Sequence, residues 1–148
     1  MITRAEVTEH ILSLKKEKQC TWTEIAKAVG LSEVYVTSAC LGENALSEEE
    51  AKRLSDFLDL PPVYTPLLTE AANKGESAPT VPKEPLQYRL QEIIYVYGPT
   101  MKAIIEEKFG PGIMSAIDFS MDIEKVPDPK GDRVKITMNG KFLPYKKW

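Results

Sequence analysis

The sequence is poor in the side chains that most often bind metals or form disulfide bonds. Its 148 residues include one histidine, His10, and two cysteines, Cys20 and Cys40. A structural zinc site takes about four Cys or His ligands, so a zinc cage is excluded, and two cysteines make no disulfide framework. A serine–histidine–aspartate triad would depend on His10 alone. We therefore expect free thiols and no bound metal.

Long apolar segments and a strong net charge are also missing. No apolar run approaches the roughly 20 residues that span a bilayer, and the start of the chain, MITRAEVTEH, lacks the apolar stretch of a secretory signal. The formal net charge is −3, from 19 basic and 22 acidic side chains, which does not favour binding of DNA or RNA. These features predict a cytoplasmic globular protein without a membrane or nucleic-acid partner.

Proline is concentrated in one segment that divides the chain. Six of the eleven prolines fall within residues 61–85, where their fixed φ and missing N–H interrupt regular structure. Residues 1–62 carry 7 basic and 11 acidic side chains, whereas residues 63–148 carry 12 and 11. We predict an N-terminal domain over residues 1–75, which includes the start of this segment, and a C-terminal domain over residues 76–148.

The N-terminal part predicts short helices that include a helix-turn-helix. Ala26, Gly30 and Val36 have the required spacing, because a small residue allows close helix approach, glycine allows positive φ in the turn, and an apolar residue anchors the second helix. Three N-cap residues each precede a glutamate by three positions, the spacing of a capping box. These pairs are Thr3 with Glu6, Thr21 with Glu24, and Ser47 with Glu50.

The helix-turn-helix pattern leaves several functional interpretations open. A DNA-reading second helix usually presents Arg, Lys, Gln or Asn to bases and phosphates, but residues 32–41 contain none of these. Packing or assembly is therefore the favoured role of the N-terminal part. One alternative is a DNA-binding regulator whose C-terminal domain dimerises or senses a ligand. Another is an assembly scaffold that binds no anion.

The first half of the C-terminal part predicts two helices. Pro85 opens the first helix, and Gly98 and Pro99 are expected to end it. The second helix then runs to a cap at Gly110. One face of the first helix is apolar at helical spacing, and we interpret this face as core. Its residues are Leu86, Leu90, Ile93, Ile94 and Tyr97.

The second half of the C-terminal part predicts strands. Alternating apolar and polar residues indicate a strand from about residue 116, and residues 133–138 with Asn139-Gly140 indicate a hairpin with a two-residue turn. The fold class is therefore α+β: an N-terminal all-α helix-turn-helix-like bundle followed by a small α+β dimerisation and catalytic domain. With about 60 ordered residues this domain would be marginal alone, so we expect oligomerisation.

Three side chains of the C-terminal part are candidates for chemistry. Arg89 and Glu92 lie three positions apart on a predicted helix and are able to pair. The pair is either an ordinary exposed ion pair, or a device in which Glu92 holds the Arg89 guanidinium so that it binds a small anion at two points. Ser115 follows a Gly-Pro-Gly turn, and its hydroxyl either faces a closed pocket or forms a local backbone hydrogen bond.

The run YRLQEIIYVYGPTMKAIIEEKFGPGIMSAIDFSMDIEKV, residues 88–126, resembles the cyanase family, also called cyanate hydratase or cyanate lyase. The C-terminal GKFLPYKKW extends the resemblance, and the N-terminal part is similar in arrangement to the helix-turn-helix-like domain of that family. The resemblance implies that Arg89, Glu92 and Ser115 are the catalytic residues. It also implies that Arg89, Ser115 and the amide of Ala116 bind the substrate.

The same resemblance implies a reaction and an assembly. Cyanate and bicarbonate would give carbamate and carbon dioxide, and the carbamate would break down to ammonia and more carbon dioxide, which detoxifies cyanate. Bicarbonate is a co-substrate in this scheme, and no cofactor is expected. Members of the family assemble as a homodecamer, a pentamer of dimers, with active sites where subunits meet.

Overall fold

The computed structural model describes residues 2–74 and 81–148. The chain separates into two units, Met1–Glu76 and Ser77–Trp148, and the predicted boundary between residues 75 and 76 lies outside the described residues. The elements of the described residues confirm the α+β fold class. They are α1 (Arg4–Glu17), α2 (Trp22–Val29), α3 (Glu33–Cys40), α4 (Glu48–Leu58), a 3-10 helix (Pro62–Tyr64), α5 (Thr65–Thr69), α6 (Pro85–Phe109), β1 (Gly112–Val126) and β2 (Arg133–Pro144).

Helices α1 to α5 enclose the hydrophobic core of the N-terminal unit. The predicted helix-turn-helix is confirmed: Ala26 and Val36 are buried in this core, and Gly30 ends α2 with a φ of +83°. Burial of each large aliphatic side chain stabilises the fold by about 1.5–3 kcal/mol relative to exposure. The largest side chains that are fully buried are Val7, Ile11, Ile25, Val29, Val36, Cys40, Leu54, Leu58 and Leu68.

All three predicted capping boxes are present. In the box that opens α2, the Thr21 hydroxyl accepts a hydrogen bond from the Glu24 amide at 3.2 Å, and the Thr21 amide donates to Glu24 Oε2 at 2.6 Å. The corresponding bonds open α1 at Thr3 and α4 at Ser47. Hydrogen bonding to the Thr21 backbone and hydroxyl lowers the pKa of Glu24. Each cap stabilises its helix by about 1 kcal/mol, because helix N-termini leave amide groups unpaired.

The histidine and the cysteines have packing roles in the N-terminal unit. The His10 ring meets the Tyr64 ring edge-on, with Nδ1 at 3.3 Å from the Tyr64 hydroxyl. Cys20 is half-buried, Cys40 is fully buried, and both thiols are free. Burial raises the pKa of Cys40 to about 12, so this thiol stays protonated at neutral pH and is a poor nucleophile.

The proline-rich segment is more ordered than the sequence predicts. The 3-10 helix and α5 occupy part of residues 61–85. Leu68 of α5 is fully buried, and its carbonyl accepts a hydrogen bond from the Leu46 amide at 2.9 Å. Pro62 and Pro66 lie in the first turns of these helices, where a missing N–H costs no hydrogen bond. The prediction that prolines interrupt regular structure is therefore wrong for this part of the segment.

The C-terminal unit contains one long helix where the sequence predicts two. Helix α6 is continuous through Pro99, so the predicted break at Gly98 and Pro99 is wrong. A proline inside a helix removes one backbone hydrogen bond, and on an exposed helix water satisfies the carbonyl that is left unpaired. Glu84 caps the helix by accepting from the Gln87 amide at 2.8 Å. No described helix, α6 included, is long and apolar enough to cross a membrane.

Strands β1 and β2 form an antiparallel hairpin. Its outermost pairs are Gly112 with Pro144 at one end and Val126 with Arg133 at the other. The chain reverses direction in residues 127–132, between the two strands. The predicted strand from about residue 116 is confirmed, although β1 already begins at Gly112.

The predicted turn at Asn139-Gly140 is wrong. Both residues lie inside β2 and pair with β1. A Cβ atom at position 140 would come within 2.5 Å of the Ser115 carbonyl oxygen and of Met114 Cγ. Glycine is needed here because the two strands approach closely, whereas the sequence pattern indicates only that the dipeptide suits a turn.

The described part of the C-terminal unit has no hydrophobic core of its own. Ser115 is the one buried residue among residues 81–148. The apolar face predicted to be core lies exposed on α6, with Leu86 at 64% and Ile94 at 51% of full exposure. The interpretation of this face as core is therefore wrong for the single chain, because neither the helix nor the hairpin covers it.

Helix α6 approaches the hairpin near its own C-terminal end. The rings of Phe109 and Phe142 lie 5.0 Å apart. The Tyr145 amide, just beyond β2, donates a hydrogen bond to the Pro111 carbonyl at 3.2 Å. These contacts fasten the start of β1 and the end of β2 to the end of the helix.

Arg4 joins three segments of the N-terminal unit that are distant in sequence. Its Nη1 donates to the Leu67 carbonyl at 2.7 Å. Its Nη2 donates to the Ala39 carbonyl at 2.7 Å and to the Asn44 carbonyl at 3.1 Å. Burial lowers the pKa of Arg4, but an arginine stays charged under all ordinary conditions. The side chain therefore acts as a half-buried cationic clamp on backbone oxygens.

We predict that Arg4→Met lowers the free energy of unfolding by about 2–4 kcal/mol, because three carbonyl groups lose a charged donor. The measurement is urea denaturation of the full chain. Arg53→Met is the matched control, since Arg53 donates to one carbonyl only, that of Val29 at 2.7 Å, and should cost about 0.5–1.5 kcal/mol. Equal losses in the two variants would contradict the clamp.

Candidate active site

Helix α6 brings Arg89 and Glu92 together as the sequence predicts. The two residues are separated by about one helical turn, and Arg89 Nη1 lies 2.7 Å from Glu92 Oε2. Both side chains are exposed. The hydrogen bond and the charge of Glu92 raise the pKa of Arg89. The guanidinium also lies over the Tyr88 ring, 5.6 Å from its centroid. Glu92 and Tyr88 thus hold one positively charged group in place.

The guanidinium of Arg89 keeps donors free for a ligand. Arginine has five N–H groups in a planar fork, and Glu92 binds at Nη1. In the described part of the chain, Glu92 is the only hydrogen-bond partner of the Arg89 side chain. An exposed ion pair adds only about 0–1 kcal/mol of stability. The main physical effect of the pair is therefore to orient the fork while its remaining donors face solvent, which suits two-point binding of a small planar anion.

Ser115 lies in an irregular part of β1. The strand register shifts between Met114 and Phe119, so that residues 115–118 lie opposite the single residue Lys141. We call residues 115–118 the bulge. The Ser115 hydroxyl accepts hydrogen bonds from two amides within the bulge, Ile117 at 3.1 Å and Asp118 at 2.9 Å. Of the two interpretations of Ser115, a local backbone hydrogen bond is thus present.

These two hydrogen bonds also determine which role is left to the Ser115 hydroxyl. A serine hydroxyl has one donor hydrogen and two acceptor lone pairs. Because two amides occupy the acceptor positions, the hydrogen must point away from them and is available as a donor. Ala116 lies in the same bulge and is exposed. The bulge therefore contains a hydroxyl group whose donor hydrogen has a defined direction. The backbone beside it lies outside the regular hydrogen-bond ladder of the two strands.

A single chain does not connect the two parts of the candidate site. Arg89 and Glu92 project from α6, whereas Ser115 and Ala116 belong to β1. Among the described residues, no hydrogen bond or ion pair links Arg89 or Glu92 to Ser115. We call the first pair the cationic half-site and the second pair the serine half-site. The structure brings each predicted residue to its own half-site and leaves the halves without a direct bond.

The described residues offer no obvious metal centre. Within residues 2–74 and 81–148 no three His, Cys, Asp or Glu side chains cluster in a way that would hold a metal ion. The charged groups near the serine half-site are Asp118 and Lys141, whose Oδ2 and Nζ atoms lie 4.0 Å apart. An arginine, a directed hydroxyl and backbone amides are donors for an anion, so the chemistry that this arrangement supports is anion binding.

The sequence reading missed the bulge and the glycine beside it. The signal that was available is a break in alternation: Ile113-Met114 and Ala116-Ile117 are adjacent apolar pairs inside an otherwise alternating strand. A glycine inside the partner strand is a second sign of a bulge or a close approach.

The fold and the two half-sites define a class of small two-domain α+β proteins in which a helix-turn-helix-like domain precedes a helix–hairpin domain with an exposed arginine paired to a glutamate. Two family models match successive parts of this chain. The cyanate hydratase N-terminal model matches residues 4–70, and the cyanate lyase C-terminal domain model matches residues 79–147. The chain belongs to the cyanate hydratase family, and the resemblance that its sequence predicts is confirmed.

Individual relatives are similar over nearly their full lengths. The chain is 55% identical to the cyanate hydratase of Marinomonas sp. (strain MWYL1) over 145 residues, which cover 98% of this chain and 99% of that protein. It is 50% identical to the cyanate hydratase of Synechococcus sp. (strain CC9311) over 142 residues, which cover 96% and 95%.

A solved structure shares the fold. The crystal structure of a cyanase from T. urticae matches with a TM-score of 0.84 and 35% identity, over 93% of this chain and 96% of that chain. Together the family models, the named relatives and this structure identify the chain as a member of an enzyme family. None of them supports the DNA-binding alternative.

Proposed function

We propose that the protein decomposes cyanate in the cytoplasm, in a bicarbonate-dependent reaction that detoxifies cyanate. The observation that carries this proposal is its similarity to cyanate hydratases along the whole chain. An oriented arginine and a directed serine hydroxyl in the C-terminal unit supply the kind of donors that two anionic substrates require.

The proposed chemistry balances without a cofactor. An oxygen of bicarbonate attacks the cyanate carbon, a C–O bond forms, and an electron pair of the C–N bond moves to nitrogen, which takes up the bicarbonate proton. The bond between the bicarbonate carbon and the bridging oxygen then breaks and releases carbon dioxide. One proton from solvent completes carbamate, and a second accompanies its breakdown to ammonia and carbon dioxide. Because bicarbonate brings the first proton, no histidine base is needed.

Electrostatic repulsion is the main obstacle to this reaction. Two unit charges 4 Å apart repel by about 1 kcal/mol in water and by about 4 kcal/mol near a protein surface. Arg89 offsets this repulsion because its guanidinium stays charged and binds planar oxyanions at two points. Glu92 orients the guanidinium and balances its charge when no substrate is bound. Arg89 thereby stabilises the dianionic intermediate more than it stabilises either reactant alone.

The serine half-site supplies neutral donors. The Ser115 hydroxyl donates to an oxyanion, and the amide of Ala116 contributes beside it. Neutral donors stabilise negative charge without forming an ion pair that would hold the product. Alignment of two small reactants between the half-sites contributes several kcal/mol more to the lowering of the barrier.

We further propose that the active form is a decamer, a pentamer of dimers, in which copies of the chain bring the half-sites together. The exposed apolar residues of α6 and the hairpin support this proposal, because surfaces of this kind are normally buried against a partner. In this arrangement the N-terminal units serve packing and assembly, without a nucleic-acid partner.

We expect the purified protein to release ammonia from cyanate, with clear stimulation by added bicarbonate, because bicarbonate is a reactant. The assay uses buffer freed of carbon dioxide and protein dialysed against a chelator. Turnover should survive the chelator, since the scheme contains no metal. Ammonia release that does not respond to bicarbonate would contradict the proposed reaction.

We predict that Arg89→Lys, Glu92→Leu and Ser115→Ala each lower kcat by about 100-fold or more, as the loss of an oxyanion donor typically does; Glu92→Leu has this effect because Glu92 accepts from Arg89 and orients it. The reason for the first is that an ammonium group cannot reproduce the planar fork. Arg133→Lys is the matched control, because Arg133 is an exposed arginine on β2 of the same unit, and its kcat should be unchanged. Full activity of Arg89→Lys would refute the two-point clamp.

We expect light scattering to give a particle of about 166 kDa, which is ten times the 16.6 kDa of one chain. Ile94→Asp should reduce this mass, because it places a charge on the exposed apolar face of α6. Ile94→Leu retains the apolar surface and should leave the mass unchanged. A particle of 16.6 kDa for the unaltered protein would exclude the proposed assembly.

A further inference from the structure

Gly140 lies where regular pairing of the hairpin resumes after the bulge. Its partner across the ladder is Phe119, the first paired residue of β1 beyond residues 115–118. On β2, only Lys141 separates Gly140 from the last pair before the bulge. The position of the bulge relative to β2 is therefore determined close to Gly140.

No side chain fits at position 140 without displacing the bulge. A Cβ atom there would lie 2.5 Å from the Ser115 carbonyl oxygen and 2.5 Å from Met114 Cγ. The Met114 side chain is flexible and can rotate away, but the Ser115 carbonyl is backbone and moves only with the strand. The φ of Gly140 is not among the positive values of the described glycines. Glycine is therefore needed at position 140 because a side chain has no room there, and not because the backbone adopts a positive φ.

The backbone group that leaves no room for a side chain at position 140 belongs to Ser115, which is also the proposed hydroxyl donor. The Ser115 carbonyl faces Gly140, while its hydroxyl accepts from the Ile117 and Asp118 amides and so directs its hydrogen. A shift of the Ser115 backbone changes both hydrogen bonds at once, because hydrogen bonds weaken steeply as their angles close. Catalysis is sensitive to such shifts, since a displacement of 1 Å can cost about 100-fold in rate.

We infer that Gly140 is a positioning residue for the cyanate reaction, because the space it leaves lets the bulge pack against β2 and thereby sets the direction of the Ser115 hydroxyl. This inference rests on the proposed role of Ser115. It also gives a reason for a glycine at position 140 inside β2, where the Asn139-Gly140 dipeptide forms no turn.

The test is a double-mutant cycle measured as kcat on the full assembled protein. Gly140→Ala should lower kcat by about 10- to 100-fold in the unaltered background. In the Ser115→Ala background the same change should alter the residual turnover by less than about threefold, because the group it positions is gone. If the two losses multiply, Gly140 does not act through the hydroxyl and the inference is overturned.

Gly112→Ala is the matched control for general damage to the hairpin. A Cβ atom at position 112 would lie 2.5 Å from the Leu143 carbonyl oxygen and 2.5 Å from Phe142 Cζ, so the clash is equally severe but does not involve Ser115. Any loss of kcat in this variant should multiply with that of Ser115→Ala. The same non-additive pattern at both glycines would show that the effect is general to the strands and would overturn the inference.

A second variant covers the case in which Gly140→Ala does not fold. Met114→Ala combined with Gly140→Ala frees space beside position 140, so the added methyl group is accommodated with a smaller shift of the Ser115 carbonyl. The protein should then fold, and kcat should stay low because that carbonyl is still displaced. Full turnover of this double variant would overturn the inference. Failure of the proposed function would be recognised by other results. Either the unaltered chain would show no bicarbonate-stimulated turnover, or Ser115→Ala would be fully active. In both cases the inference would be overturned as well.

Discussion

The apolar surface of the C-terminal unit is the constraint on which the rest of this structure depends. A 25-residue helix and a two-stranded hairpin touch near one end, and Ser115 is the one residue they bury within residues 81–148. Burial of apolar surface is the dominant favourable term in folding, and this unit obtains little of it alone. The N-terminal unit differs, since its short helices surround a closed core. The uncovered apolar surface therefore lies in the half of the protein that carries the candidate chemistry.

The two half-sites are built by different kinds of interaction. Arg89 and Glu92 meet because residues three apart on a helix are neighbours, and this holds wherever the helix lies. Ser115 owes its geometry to the register of two strands and to the space at Gly140, which is 25 positions away in sequence. The cationic half-site is thus a local structure with exposed donors, whereas the serine half-site depends on the strand pairing on either side of the bulge. Joining them is the task that we assign to the assembly.

Sequence reasoning succeeded where the responsible forces are local. The capping boxes, the Gly30 turn and the Arg89–Glu92 pair each depend on residues within a few positions of one another. It failed at Pro99 and at Asn139-Gly140, where local preferences favour a break and a turn. An exposed helix tolerates the loss of one hydrogen bond, and a strand accepts glycine where the neighbouring strand comes close. Arg4 was also missed, because its three carbonyl partners lie 35 to 63 positions away.

By itself, the sequence determined the α+β class and the residue types available for anion chemistry, because composition, periodicity and local spacing can be read directly from the chain. The family followed from the resemblance of its C-terminal half to cyanases. Tertiary structure alone decided that the predicted core face of α6 is exposed, that β1 bulges at Ser115, and that the half-sites have no direct bond within one chain. The physical reason is that burial and strand register depend on which distant surfaces meet. A pattern of apolar residues indicates that a face will be covered, but not whether the cover comes from the same chain.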